Sequence, residues 1–90
     1  MSEVDRTVTI RNRLGLHARP AGEFVKIASM FESKITVAKG DLEVNGKSIM
    51  GVMTLAAECG SKVTVRADGV DAEAAVEAVA EVLDREFGDI

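Results

Sequence analysis

Apolar residues in this 90-residue chain change their spacing repeatedly, from every second position to every third or fourth and back, so strands and helices must alternate within one short sequence. Val4, Val8 and Ile10 share one face of a period-two stretch, with Asp5, Thr7 and Thr9 on the other, which predicts a half-buried strand. From Ala18 to Phe31 the spacing becomes helical: Ala21, Phe24, Val25, Ala28 and Phe31 fall on one stripe, and Glu23, Lys26 and Glu32 lie toward solvent. Ile35 and Val37 alternate with polar neighbours, Lys39-Gly40-Asp41 turns the chain, and Leu42 and Val44 resume the alternation, which predicts a hairpin. Asn45-Gly46 breaks the strand, Ser48 can cap a short apolar helix through Leu55, and Gly60 ends the connection. Val63, Val65 and Ala67 form another strand, closed by an Asp68-Gly69 turn. Asp71 is an N-cap candidate for a last helix whose stripe is Ala72, Ala75, Val76, Val79, Ala80, Leu83 and Phe87, with Gly88 at its end.

The order strand, helix, strand, strand, short helix, strand, helix predicts an α+β arrangement, with three helices covering one face of a four-stranded antiparallel sheet. A chain of this length supports a single domain, residues 1–90, with one modest core. No apolar run approaches the roughly 20 residues of a membrane span, and the polar start Ser2-Glu3-Val4-Asp5-Arg6 lacks the hydrophobic stretch of a secretory signal, so a cytoplasmic protein with no membrane insertion is expected. The single Cys59 rules out an internal disulfide, and one cysteine with one histidine leaves no framework for zinc, so neither metal nor cofactor is expected. Cys59 itself reads as an inert small residue. A monomer is the default.

The net charge of −4 and the absence of Trp and Tyr speak against a nucleic-acid binder, which needs a basic stripe or stacking surfaces. The charge is unevenly spread. Residues 1–50 hold eight Lys and Arg against six Asp and Glu, whereas residues 51–90 hold three against nine. The first half therefore suits an anionic ligand and acidic partner surfaces.

That half carries Gly15-Leu16-His17-Ala18-Arg19-Pro20-Ala21, where the only histidine stands between a strand pattern and a helix pattern. Taken alone, a histidine beside a helix start is often a half-buried residue with no chemistry. Here Pro20, tolerated in a first turn, marks a helix whose opening amides point back toward His17. Those amides at Ala18 and Arg19, the positive end of the helix dipole and the donor fork of Arg19 together form a cradle for phosphate. Neutral imidazole supplies the lone pair that attacks phosphorus. Gly22 departs from good helix composition at a cost of about 1 kcal/mol relative to alanine.

The segment from Gly15 to Ala21 resembles the active-site signature of the HPr family, the histidine-containing phosphocarriers of the bacterial phosphotransferase system. A second segment, Lys47-Ser48-Ile49-Met50-Gly51-Val52-Met53, is similar to the regulatory-serine motif of those members that are substrates of HPr kinase/phosphorylase. The two segments lie about thirty residues apart, as in that family. The resemblance implies an open-faced β-sandwich (βαββαβα). It also implies that His17 accepts a phosphoryl group on Nδ1 from enzyme I and passes it to IIA domains of sugar transport complexes. Arg19 would then steady the phosphate and recognise partners, and Pro20 would fix the helix start.

Ser48 reads equally as an ordinary helix cap. Phosphate there would add about −1.5 to −2 charges beside Lys47, Ile49, Met50 and Met53. On a helix too short to bury them all, these apolar residues suit partner docking as well as core packing. Phospho-Ser48 would then discourage some partners and recruit others, a transcription regulator among them. Two other functions stay in view: a carrier of the parallel nitrogen-related branch with a purely regulatory role, and a stand-alone hydrolase using His17. The hydrolase is disfavoured because no orienting carboxylate lies near His17 in the sequence.

Overall fold

The alternating segments become four strands of one sheet in the computed structural model, which describes residues 2–87. In chain order the elements are β1 (Ser2–Thr9), α1 (Ala18–Ala28), β2 (Lys34–Lys39), β3 (Leu42–Asn45), α2 (Ile49–Thr54), β4 (Lys62–Gly69) and α3 (Ala72–Leu83). The spatial order of the strands is β1, β4, β2, β3, and every neighbouring pair is antiparallel.

Register aligns the apolar positions across the sheet: Val4 and Ile35 both face Ala67, and Val37 lies between Val44 and Val65. The three helices cover this side. α3 packs on β1, β4 and α1, while α2 packs on α1 and the end of β3. Phe24, Ile35, Val37, Val52, Val63, Val65, Val76 and Val79 fill the space between, all essentially inaccessible to solvent. The opposite side of the sheet stays polar. Arg66 pairs there with Asp5 at 3.8 Å and Glu43 at 3.7 Å, and Thr7 and Thr64 share a hydroxyl hydrogen bond of 3.1 Å. Exposed pairs of this kind contribute at most about 1 kcal/mol each, so burial beneath the helices is what holds the sheet.

Both long helices end earlier than their apolar stripes suggest. The stripe of α1 runs to Phe31, yet the helix stops at Ala28 with Ser29 as its C-cap. The Met30 and Phe31 amides turn back on Ile27 and Ala28 in a tightened final turn, and the next two amides leave the helix altogether. Glu32 N–H and Ser33 N–H donate to the Asp71 carboxylate at 2.9 Å each, and the Ser33 hydroxyl donates to it as well. Asp71 does occupy the N-cap position of α3, but its side chain makes no capping bond to that helix because these three donors engage it. They hold its carboxyl below the usual carboxylate range, the Ser33 hydroxyl contributing most and the Glu32 amide next.

The expected helix through Phe87 likewise stops at Leu83. Phe87 N–H donates to Asn12 Oδ1 at 3.0 Å, which takes that amide out of the helical ladder. The expected stop at Gly88 lies outside the described residues. Leu42, placed by its alternation on the apolar side, is 44% exposed at the outer strand of the hairpin, and Val44 is half-buried. Cys59 is exposed, with its sulfur 3.9 Å from the Arg11 carbonyl oxygen.

Candidate functional site

The loop that delivers His17 is built around a buried asparagine. β1 ends at Thr9, and Ile10 remains tied to the β4 approach through Ile10 N–H to Ser61 O (2.8 Å) and Gly60 N–H to Ile10 O (2.9 Å). Asn12 is 5% exposed: its carbonyl accepts Gly15 N–H at 2.9 Å, and its Nδ2 donates to Gly15 O at 2.8 Å. Gly15 adopts φ +77°, a conformation that disfavours any side chain, and a Cβ there would stand 2.6 Å from the Ala57 carbonyl oxygen. That same oxygen accepts Leu16 N–H at 2.8 Å, which seats buried Leu16 and lifts the next residue onto the start of α1.

His17 is the N-cap of α1, in extended conformation at φ −87° and ψ −165°. Its side chain makes no capping bond to the helix, and its carbonyl accepts Ala21 N–H at 2.9 Å to close the first turn. Pro20 is the third helical residue, is buried, and has no amide to offer. The opening amides of the helix thus belong to Ala18 and Arg19, both with exposed side chains. The residue as a whole is half-buried, but Nε2 is sealed from solvent. The Arg19 guanidinium lies 5.8 Å from the centre of the Phe87 ring.

Ser48 sits at the corresponding point of α2. Its Oγ accepts Gly51 N–H at 3.1 Å and its carbonyl accepts Val52 N–H at 2.9 Å, so it is the N-cap that the sequence predicts. Asn45 prepares the turn, its side-chain oxygen accepting Lys47 N–H at 2.9 Å and its carbonyl accepting Ser48 N–H at 3.2 Å. Lys47 bends away to donate to the Phe31 carbonyl at 2.7 Å, which fastens this turn to the end of α1. Ile49, Met50 and Met53 are 42%, 73% and 39% exposed, while Val52 is fully buried.

The two motifs meet through Gly22. A Cβ on Gly22 would lie 3.7 Å from Ile49 Cδ1, so the missing side chain in α1 is where α2 rests. Asn12, Phe87 and exposed Leu14 carry no site role in the sequence reading, which takes Phe87 only as part of the last helix's apolar stripe. The first two are brought together from opposite ends of the chain, a relation no local pattern encodes. Among the described residues no cluster of potential metal ligands exists and no helix is long and apolar enough to cross a membrane. A cleft of about 510 Å³ runs between β1 and α3, lined by Arg6, Arg11, Glu77, Glu81 and Asp84 among others, and does not include His17.

Residues 4–85 match the family model described as the PTS HPr component phosphorylation site. Among curated relatives, the phosphocarrier protein HPr of Treponema pallidum is 45% identical over 84 residues, covering 93% of this chain and 96% of the relative. The phosphocarrier protein NPr of Shewanella violacea is 37% identical over 87 residues, covering 97% and 96%. The crystal structure of an HPr from Thermoanaerobacter tengcongensis superimposes with a TM-score of 0.87 at 46% identity, covering all of this chain and 99% of that one. A dimeric HPr structure from the same organism gives 0.72, with 93% and 94% covered. A histidine on a helix cap, a capped serine turn beside it and this agreement along the chain lead to one assignment: the protein belongs to the HPr family of phosphocarriers of the phosphotransferase system.

Proposed function

We propose that His17 accepts a phosphoryl group from enzyme I and passes it to IIA domains of sugar phosphotransferase complexes. The observation that carries this reading is the placement of His17 as the N-cap of α1, beside the opening amides of Ala18 and Arg19, and the family resemblance makes Nδ1 the nitrogen that takes the phosphoryl group. The Nδ1 lone pair attacks phosphorus, the P–N bond of the donor phosphohistidine breaks, and its electron pair returns to the donor imidazole. The phosphoryl oxygens then lie against the first amides of α1, at the positive end of its dipole, with Arg19 as the nearby cation. Transfer of this kind requires mainly alignment and charge neutralisation, which a partner surface completes, so a small carrier with little chemistry of its own suffices. A stand-alone hydrolase is disfavoured because it needs a carboxylate to orient its histidine, and the sequence near His17 offers no obvious one.

Ser48 is the regulatory position in this reading, phosphorylated by HPr kinase/phosphorylase. Its phosphate enters at a helix start, where negative charge is tolerated, and alters the exposed Ile49, Met50 and Met53 surface that serves partner docking, together with Lys47. A cytoplasmic location fits partners that carry their phosphohistidines there. His17→Ala should abolish labelling from phosphoenolpyruvate and enzyme I, and normal labelling of this variant refutes the assignment. Ser48→Asp should slow transfer to His17, and unchanged kinetics count against the regulatory role.

Likeness to the Shewanella NPr keeps the nitrogen-related branch as a second reading. The Lys47-Ser48-Ile49-Met50-Gly51 segment favours the sugar branch. Offering the phosphorylated protein to IIA domains of both branches, and comparing rates, separates them.

A further inference from the structure

Arg19 is an exposed residue on the first turn of a helix, and a long cationic side chain in that setting sacrifices rotamer freedom whenever it meets an anion. The structure supplies a support for it. The centre of the Phe87 ring lies 5.8 Å from the Arg19 guanidinium carbon, within the range over which an aromatic face attracts a cation.

Phe87 is itself fixed. Its amide donates to Asn12 Oδ1 at 3.0 Å, and its ring packs, half-buried, against the core. The Arg85 guanidinium is 5.2 Å from the same ring centre and reaches Glu23 of α1 at 3.9 Å, which fastens this segment to the helix bearing Arg19. Through its other side-chain atom Asn12 holds the Gly15 carbonyl, two residues before His17. One buried amide therefore sets both the loop under the histidine and the ring beside the arginine.

We propose that Phe87 is a positioning residue for phosphoryl transfer, its ring holding the Arg19 guanidinium beside the α1 N-terminus so that Arg19 meets the phosphoryl group with its rotamer already restricted. Phe87 acts through Arg19 and not on the phosphoryl group. The inference deepens the carrier reading and rests on Arg19 serving the phosphoryl group on His17.

The test is a double-mutant cycle on transfer from phosphoenolpyruvate through enzyme I, with a spectroscopic readout that needs no phosphate. Phe87→Leu keeps apolar volume and removes the aromatic face; Phe87→Tyr keeps the face. Phe87→Leu should lower kcat/KM for the carrier by about two- to five-fold, the size of an exposed cation–ring attraction, and Phe87→Tyr should preserve it. In an Arg19→Ala background Phe87→Leu should cause no further loss. Equal losses in both backgrounds, or no loss in the native one, overturn the proposal. In proton NMR the Arg19 δ and ε protons should be shielded by the ring and lose that shielding in Phe87→Leu; native protein without it overturns the contact whatever the kinetics. Native protein that shows the shielding yet takes no phosphate on His17 sinks the carrier reading, and the role of Phe87 in transfer with it.

Discussion

One substitution, glycine to alanine, should move stability in opposite directions at two positions seven residues apart. Gly22 lies inside α1, where glycine costs about 1 kcal/mol relative to alanine. The added Cβ would meet Ile49 Cδ1 at 3.7 Å, an ordinary van der Waals contact, so no strain offsets the gain in helix propensity. Gly22→Ala should therefore stabilise the protein by about 1 kcal/mol, which for a domain of this size raises Tm by about 4–8 °C. Gly15 differs in both respects. Its φ of +77° costs an L-residue about 1–2 kcal/mol, and a Cβ 2.6 Å from the Ala57 carbonyl oxygen must displace backbone. The displaced oxygen is the acceptor for Leu16 N–H, so the clash also weakens the hydrogen bond that seats His17. Gly15→Ala should cost at least about 2 kcal/mol and lower Tm by about 8 °C or more. Thermal unfolding followed by circular dichroism, with urea titration as a check on cooperativity, reads both. Shifts of the same sign, or a loss at Gly22, would show that the local account of α1 and its preceding loop is mistaken.

Two more outcomes follow from side chains that join distant segments. Asp71 is held below the ordinary carboxylate range in the folded protein, so it binds fewer protons there than in the unfolded chain; the stability it contributes is present above about pH 4 and is lost as pH falls through its lowered value. Urea midpoints measured down through that window should fall more steeply for the native protein than for Asp71→Asn, and identical slopes would remove Asp71 as the cause. Asn12→Ala leaves the Gly15 carbonyl and the Phe87 amide without their partner, at a cost of about 1–3 kcal/mol for a buried group. Chemical denaturation measures that loss, and accelerated hydrogen exchange at Phe87 localises it; an unchanged exchange rate contradicts the bond.

Much of this architecture was legible because the relevant signals are local. Period-two and helical spacings mark β1, β2, β4, α1 and α3, Pro20 marks a helix start, and Ser48 reads as a cap and is one. The two overextended helices fail for a common cause. Phe31 and Phe87 continue their helical stripes, so periodicity extends α1 and α3 to them, but the amides beyond each helix are claimed by side chains from elsewhere: Asp71 in one case and Asn12 in the other. Leu42 obeys strand alternation and is still exposed, on the strand at the edge of the sheet. Neighbours in the chain are enough to propose His17 and Arg19 as site residues. Their support by Asn12 and Phe87 is not readable in that way, since it depends on segments 75 residues apart in the sequence meeting in space.

Asp71, before α3, grips the residues that follow α1; Asn12, before α1, grips a residue that follows α3. The two helices are thus cross-braced at both extremities, and sliding one past the other by even a single residue's rise, about 1.5 Å, would break both braces together. His17 stands on a loop that one of these braces also holds, through Asn12 Nδ2 and the Gly15 carbonyl. On the proposed carrier role, recognition of successive donors and acceptors would be a near rigid-body association, with discrimination left to the exposed Ile49, Met50 and Met53 surface proposed for docking.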